Sequence, residues 1–161
     1  MKIGNDLVEV KRFLELVSNK RFLDRVFSPE EQEHIFVQKD KQKIAERIAG
    51  KYATKEAVAK ALGFGISGGV NFLNITVLPD EFGAPTVKLL DEALAIFKKN
   101  GFHEIDVSIS NTSEYAESVC LLAWIICLVL QKLKRKSKNF LLFLFFGFNF
   151  WFGGINYYVW F

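Results

Sequence analysis

The chain has 161 residues, of which 50% are hydrophobic and 24% are charged, a composition typical of a folded protein and unlike that of a disordered or collagen-like chain. Two cysteines are too few for a disulfide-dense secreted scaffold, and no Cys and His residues have the spacing of a structural zinc site. The net charge of +3 arises in the C-terminal segment, because residues 1–123 hold 16 Lys or Arg against 18 Asp or Glu, whereas residues 124–161 hold five Lys or Arg and no acid. The basic charge is therefore no indication of nucleic-acid binding, and we expect no nucleic-acid partner.

Short elements are predicted for residues 1–37. Ile3–Val8 has the pattern of a strand, and the N-terminus lacks the apolar stretch of a secretory signal, so we expect a cytoplasmic protein. Apolar residues at helical spacing follow over residues 9–26, with a break near Ser18 and Asn19. The sequence Ser28-Pro29-Glu30-Glu31 predicts the start of another helix, in which serine is the cap, proline takes the first turn and the acids complement the helix dipole.

The longest predicted element is a helix over residues 42–62, which Gly63 and Gly65 end. Shorter elements follow up to residue 122: strands over 71–78, 84–89, 105–110 and 119–122, a helix over 91–100, and turns over 79–83 and 112–114. Because strands and helices are mixed without βαβ regularity, the pattern predicts an α+β fold.

Glu56 is the first candidate site residue. At 100° per residue it lies in the middle of a stripe of small and apolar side chains on the long helix, and this stripe is expected to pack inward. A carboxylate on such a face is costly unless it is paired, hydrogen-bonded or bound to a metal ion. An ion pair with Lys60, one turn further along, is the structural alternative. The alanines of the stripe favour a site, because they let another backbone or a ligand approach closely.

Asp6 is the second candidate, because an aspartate is unfavourable in a strand of Ile3, Leu7 and Val8 unless it has a partner. Its structural alternative is a strand-end or capping residue. Two such carboxylates with nearby lysines would form a site for Mg²⁺ and phosphate, since Mg²⁺ binds one or two carboxylates and completes its shell with water and phosphate oxygens. The sequence Gly63-Phe64-Gly65 either offers backbone N–H groups to an anion or only ends the helix.

Five segments resemble, in order, the motifs of the bacterial holo-acyl-carrier-protein synthases, the small class of 4′-phosphopantetheinyl transferases. They are Ile3–Arg12, Phe27–Glu31, Gly50–Gly63, Gly83–Pro85 and Val107–Ala116, and they span about residues 2–122. The Lys55-Glu56-Ala57 block and the opening that contains Asp6 are the most specific of these motifs. The resemblance implies the fold of that family, in which a small antiparallel sheet packs with a long helix.

The resemblance also implies the reaction: transfer of 4′-phosphopantetheine from coenzyme A to a serine of apo-acyl carrier protein, with release of adenosine 3′,5′-bisphosphate, in support of fatty acid and lipid biosynthesis. Asp6 and Glu56 would hold Mg²⁺, Lys60 would stabilise the same phosphate oxygens, and these three are the expected catalytic residues. The serine proton would go to Glu56 or to a water on the metal. The implied coenzyme contacts are Lys55, Lys60, Gly63, Gly65, Ser110, Asn111 and Thr112.

Two positions depart from the family pattern. Asn111 stands where the family has a histidine, among groups that contact coenzyme A phosphates in relatives, so a hydrogen-bond donor is kept and a cationic charge is lost. Lys51 stands where an arginine is common, which replaces a bidentate fork with a point charge. We expect Asn111 to lower the affinity for the coenzyme without abolishing the chemistry.

The resemblance implies two kinds of partner, which are an acidic carrier protein and further copies of this chain. Arg12, Arg21 and Arg25 lie within the helical region over residues 9–26, and by themselves they are an ordinary solvated face. The resemblance favours a docking surface for the carrier protein, where charge steering would make association sensitive to salt. Relatives are trimers with the active site between neighbouring subunits, so we expect a homotrimer.

Residues 124–161 form an atypical hydrophobic tail after the transferase domain predicted over residues 1–123. A basic linker, Lys132–Lys138, leads to Phe140–Phe161, 22 residues without a charge that are long enough to span a bilayer. The tail is either a membrane anchor, which would keep the domain in the cytosol, or a non-native extension of the kind that AT-rich DNA encodes outside the proper frame, and we favour the extension. Cys120 and Cys127 are expected to be reduced and buried.

Three alternative functions are each compatible with some of these sequence features. A Mg²⁺-dependent hydrolase of a nucleotide pyrophosphate would use the same carboxylates with water in place of the serine. An inactive module that only binds carrier protein would fit the missing histidine at Asn111. A tail-anchored membrane protein with a ligand-binding domain would fit the hydrophobic tail.

Overall fold

The computed structural model describes residues 1–66, 69–124, 150–152 and 155–157. Its elements in chain order are β1 (Lys2–Glu9), α1 (Lys11–Leu14), α2 (Lys20–Val26), α3 (Pro29–Phe36), α4 (Lys41–Leu62), β2 (Ile75–Pro79), β3 (Pro85–Leu89), α5 (Asp91–Lys99), β4 (Phe102–Asn111), β5 (Tyr115–Trp124), β6 (Phe150–Phe152) and β7 (Ile155–Tyr157). The chain divides into two compact units, Met1–Ile125 and Ile126–Phe161.

The first unit contains two antiparallel sheets. In the larger sheet β5 lies between β1 and β4, and Asp6 of β1 pairs with Ser118 of β5. The smaller sheet is the hairpin of β2 and β3, whose turn is held by the Asp80 carboxylate, because Oδ1 accepts hydrogen bonds from the N–H groups of Phe82 and Ala84. These sheets and the 22-residue helix α4 confirm the predicted α+β fold with a small antiparallel sheet and a long helix.

Helix α4 packs directly on the backbone of β1. A Cβ added to Gly4 would lie 2.1 Å from the carbonyl oxygen of Ala57 and 2.6 Å from the nitrogen of Ala61, so only glycine fits at this position. The alanines of α4 therefore serve the approach of a strand, one of the two uses that the sequence allowed for them. This close contact fixes β1, and with it Asp6, beside the C-terminal half of the helix.

The helix ends agree with those predicted from the sequence. Ser28 and Glu31 form a reciprocal capping box at the start of α3, and Gly63 ends α4 in the left-handed region with φ 90°. The predicted break near residue 19 is confirmed, since the Asn19 side chain caps α2. The strand predicted from residue 71 begins only at Ile75, because Phe72–Asn74 first forms a 3₁₀ turn.

The second unit is described only at β6 and β7, which pair antiparallel. Most of the uncharged segment predicted over 140–161 lies outside the described residues, as does Cys127. Cys120 is a free, buried cysteine, as predicted. Within the described part of the chain, no helix is both long and apolar enough to cross a membrane.

Candidate active site

Strand β1 and helix α4 bring Asp6 and Lys60 into contact. The Lys60 ammonium donates to Asp6 Oδ1 at 2.8 Å and to the carbonyl oxygen of Asn5 at 2.9 Å. The Asp6 side chain is 15% exposed, whereas that of Lys60 is 50% exposed. The second carboxylate oxygen, Asp6 Oδ2, is buried and has no hydrogen-bond partner. Because a buried oxygen without a partner is costly, this atom is available to a ligand.

Glu56 lies one turn before Lys60 on α4, close enough to Asp6 for the two charges to interact. Burial raises the pKa of the Glu56 carboxyl, and the negative charge of Asp6 raises it further. Burial also raises the pKa of Tyr52, and the charge of Glu56 adds to this effect. The Glu56–Lys60 ion pair, the structural alternative, is not among the ion pairs of the described residues, because Lys60 pairs with Asp6.

The donor set of this site is two carboxylates. Among the described residues there is no group of three or more His, Cys, Asp or Glu side chains that could hold a metal ion. Asp6 and Glu56 nevertheless suit a hard cation such as Mg²⁺, which needs only one or two protein carboxylates. A divalent ion would give Asp6 Oδ2 a partner and would offset the repulsion that raises the pKa of Glu56.

Lys55, predicted as a coenzyme contact, is instead buried inside the protein. Its side chain is 0% exposed, and its ammonium donates to Glu31 Oε2 at 2.8 Å and to the carbonyl oxygens of Phe72 and Ile75 at 2.8 and 2.5 Å. With its three donors engaged away from solvent, Lys55 has a structural role in this structure. The prediction of a coenzyme contact is not supported by this placement.

Gly63 and Gly65 lie at the C-terminal end of α4, next to Lys60. The N–H groups of residues 63, 64 and 65 all donate to the carbonyl oxygen of Ala59, so they cap the helix and do not point freely at an anion. Both glycines have positive φ and no atom within 4 Å of an added Cβ, which leaves open space above them. Their contact with the coenzyme therefore stays a prediction.

Ser110 and Asn111 end β4, and Thr112 follows directly after it. Asn111 Nδ2 donates to the carbonyl oxygen of Glu46 at 3.4 Å, and its amide lies 3.1 Å from a Cβ placed on Gly50. At 100° per residue, Gly50 is about 120° around α4 from Glu56, so the two groups occupy different sides of the helix. Asn111 therefore lies on a different side of α4 from Glu56, and the coenzyme contacts of residues 110–112 stay a prediction.

Asn111 lines a cavity of about 300 Å³ between α3, α4 and the hairpin of β2 and β3. Arg47 and Lys51 of α4 and His34 of α3 also line it. Lys51 is mostly buried, with its ammonium hydrogen-bonded to the carbonyl oxygen of Val77. The sequence singles out Asn111 and Lys51 as departures from the family pattern, but it gives no signal for His34, since nothing in the helix pattern of α3 indicates which side faces α4.

Arg12, Arg21 and Arg25 are exposed on α1 and α2. None of the three takes part in an ion pair within the part of the chain that the structure describes, whereas Lys20 on the same helix as Arg25 pairs with Asp24 at 2.8 Å. The three guanidinium groups are therefore available to an acidic partner.

Comparison with known proteins adds to this geometry. The family model of the 4′-phosphopantetheinyl transferase superfamily matches residues 2–120. The holo-[acyl-carrier-protein] synthase of Caldanaerobacter subterraneus is 38% identical over 120 residues, which cover 74% of this chain and 91% of that protein. That of Alkaliphilus metalliredigens is 42% identical over 115 residues, or 71% of this chain and 91% of that protein.

Solved structures agree with the sequence comparison. The crystal structure of Helicobacter pylori holo-[acyl-carrier-protein] synthase in complex with coenzyme A matches with a TM-score of 0.64 and 31% identity, over 75% of this chain and 99% of that one. The resemblance of the motifs is thus confirmed, and the chain belongs to the 4′-phosphopantetheinyl transferase superfamily, as a transferase of the holo-[acyl-carrier-protein] synthase type.

Proposed function

We propose that this protein transfers 4′-phosphopantetheine from coenzyme A to a serine of apo-acyl carrier protein. The observation that carries the proposal is the cluster of Asp6, Glu56 and Lys60, which places two carboxylates and an ammonium together in a chain whose relatives are named for this activity. The cytoplasmic location and the link to fatty acid biosynthesis belong to the same proposal.

Asp6 and Glu56 are the residues that would hold Mg²⁺. The unpartnered Asp6 Oδ2 and the raised pKa of Glu56 support this assignment, since both features are relieved by a cation. When bound, the ion supplies charge neutralisation at the pyrophosphate of coenzyme A.

Lys60 and Glu56 have separate tasks in the transfer. The half-exposed Lys60 ammonium is held by Asp6 and would bind phosphate oxygens and orient them for in-line attack. Glu56 is the other carboxylate at this point of α4, and it would accept the proton of the carrier serine. The bond formed joins the serine oxygen to the β-phosphorus, and the bond broken releases adenosine 3′,5′-bisphosphate.

The expected coenzyme contacts imply that the site is complete only where two subunits meet. Asn111 and Lys51 lie on a different side of α4 from Glu56, so one coenzyme would meet the carboxylates of one subunit and the cavity beside Asn111 of a neighbour. The outer face of the larger sheet supports a homotrimer, because its side chains Ile3, Leu7 and Val119 are apolar and exposed opposite α4. Arg12, Arg21 and Arg25 would receive the acidic carrier protein.

The test is to incubate the protein with coenzyme A, Mg²⁺ and apo-carrier protein and to measure the mass of the carrier protein. A gain of one phosphopantetheine is expected. Cleavage of coenzyme A without that gain would support the pyrophosphate hydrolase, and the absence of both would support a binding module. Asp6→Ala and Glu56→Ala should each abolish the Mg²⁺-dependent gain.

A further inference from the structure

Tyr52 brings a phenol hydroxyl to the carboxylates of the candidate site. It lies one turn before Glu56 on α4, and residues four positions apart face the same side of a helix. Its hydroxyl shares a hydrogen bond with the Glu56 carboxyl group. Burial raises the pKa of Tyr52 and the charge of Glu56 raises it further, so the phenol keeps its proton at neutral pH and is the donor.

The ring of Tyr52 is held from two sides by other aromatic rings. The ring centroid of Phe13, on α1, lies 5.3 Å from that of Tyr52, and the two planes are tilted by 55°. The ring centroid of Phe72, in the 3₁₀ turn before β2, lies 5.1 Å away, with a tilt of 35°. A change of rotamer at Tyr52 would break both contacts, so this packing keeps the hydroxyl beside Glu56.

Phe72 is itself fixed by the buried ion pair of α4. Its backbone carbonyl oxygen accepts a hydrogen bond of 2.8 Å from the Lys55 ammonium, which also donates to Glu31 at 2.8 Å. Neither side chain of that pair is exposed to solvent. A continuous set of contacts therefore leads from the buried pair through the rings of Phe72 and Tyr52 to the carboxylate of Glu56.

Lys60, the charged neighbour of Glu56 on α4, is engaged elsewhere. Its ammonium donates to Asp6 Oδ1 at 2.8 Å and to the carbonyl oxygen of Asn5 at 2.9 Å. The orientation of the Glu56 carboxylate therefore depends on the phenol one turn earlier. Carboxylates that bind metal ions commonly need such a hydrogen-bonding partner to fix their orientation.

We propose that Tyr52 is a positioning residue, whose hydroxyl holds the Glu56 carboxylate in the orientation that binds Mg²⁺. The inference rests on the proposed function, which assigns the ion to Asp6 and Glu56. Tyr52 acts through Glu56 and has no contact of its own with the ion or with coenzyme A. Its ring serves the packing of α4, whereas its hydroxyl serves the site.

Tyr52→Phe tests this, because it removes the hydroxyl and keeps the ring between Phe13 and Phe72. Calorimetric titration of Mg²⁺ into the protein saturated with coenzyme A should show an affinity about tenfold lower than in the unmodified protein. The urea midpoint of unfolding should stay close to that of the unmodified protein, because the aromatic contacts remain.

Phe22→Leu is the matched control for packing. Phe22 lies 6.3 Å from Phe13 in the same aromatic cluster, between ring centroids, but the described aromatic contacts do not join it to Tyr52. This variant should lower the urea midpoint and leave the affinity for Mg²⁺ unchanged. Loss of stability would thereby be separated from loss of orientation at Glu56.

A double-mutant cycle shows whether Tyr52 acts through Glu56. In the Glu56→Ala background, Tyr52→Phe should cause no further loss of Mg²⁺ affinity, because the group that the hydroxyl orients is already absent. The same tenfold loss in both backgrounds would contradict the inference. The cycle gives this answer even if Tyr52→Phe also changes stability, since that change would be present in both backgrounds.

The outcomes separate this inference from the proposed function. If Mg²⁺ affinity depends on Glu56 and is unchanged in Tyr52→Phe, the positioning role is wrong and the proposed function stands. If Mg²⁺ affinity does not depend on Glu56, the metal assignment of the proposed function is wrong and the role of Tyr52 is wrong with it.

Discussion

Two carboxylate–ammonium pairs attach helix α4 to the rest of the protein, and they differ in how completely they are satisfied. Glu31–Lys55 and Asp6–Lys60 have the same nitrogen-to-oxygen distance, 2.8 Å. Both side chains of the first pair are 0% exposed, and Glu31 also accepts hydrogen bonds of 2.9 Å from the N–H groups of Ser28 and Val77. The second pair is open to solvent and leaves Asp6 Oδ2 without a partner.

We interpret this difference as that between a structural pair and a pair at the proposed active site. Every hydrogen-bonding group of the buried pair is engaged within the chain, so a ligand has nothing to add there. The open pair lies beside Glu56, a carboxylate that burial and a neighbouring charge make hard to ionise, and such arrangements are typical of functional sites. An ion pair by itself would not have distinguished the two.

The largest effect is expected from breaking the buried pair. Glu31→Ala leaves the Lys55 ammonium buried without its counter-charge and removes the side chain that caps α3, so the free energy of unfolding should fall by about 3–5 kcal/mol. Lys20→Ala, which breaks an exposed pair with Asp24, is the control and should lower the free energy of unfolding far less. Urea unfolding measures both, and equal losses would contradict the structural role of the buried pair.

Glu56, the carboxylate beside the open pair, should respond in the opposite way when it is replaced. Glu56→Gln should lower kcat by about 100-fold to 1000-fold, because it removes a ligand and a base from the site. The same variant should be no less stable than the unmodified protein at pH 7, since it removes a carboxylate whose charge is disfavoured by burial and by Asp6. Steady-state kinetics and urea unfolding on the same preparation separate the two effects.

The pH dependence of this stability difference follows from the direction of the pKa shift. A carboxyl whose pKa is raised on folding favours the protonated form, so its contribution to stability is fully present below about pH 4.5 and is lost as the pH rises through the higher pKa of the folded state. Relative to the unmodified protein, Glu56→Gln should therefore gain stability between acidic and neutral pH. A constant difference from pH 4 to pH 7 would mean that Glu56 titrates normally.

The contrast between engaged and free charges extends to the surface of α1 and α2. The double variant Arg12→Glu/Arg25→Glu should raise KM for carrier protein about tenfold at low salt and leave KM for coenzyme A unchanged, because both guanidinium groups are exposed and free of ion pairs in the described chain. Lys20→Glu on the same helix α2 is the matched single control, since Lys20 is already paired with Asp24. Unchanged affinity for the carrier protein in the double variant would remove this docking surface.

The sequence predicts what depends on local patterns. The cap at Ser28 and the end of α4 at Gly63 follow from neighbouring residues, and both are confirmed. Asp6 and Glu56 are recognisable because each is a carboxylate that contradicts the apolar pattern of its own element. An anomaly within one strand or one helix needs no knowledge of the rest of the fold.

What depends on contacts between distant segments is not predictable in this way. The partner of Lys55 is Glu31, 24 positions earlier, and the motif around Lys55 does not reveal that this side chain points into the protein. His34 lies at an ordinary helix position, and its contact with Arg47 appears only when α3 is placed beside α4. Lys60 likewise pairs across to Asp6, 54 positions away, rather than with Glu56 on its own helix.

The central claim is that Asp6 and Glu56 together bind one Mg²⁺ ion per chain. Calorimetric titration of Mg²⁺ into the protein saturated with coenzyme A tests it most directly, with Glu46→Gln as a control because Glu46 lies on α4 but pairs with Lys43. The account predicts a single site whose affinity falls at least tenfold in Asp6→Asn and in Glu56→Gln and is unchanged in the control. Undiminished Mg²⁺ affinity in either Asp6→Asn or Glu56→Gln would contradict it.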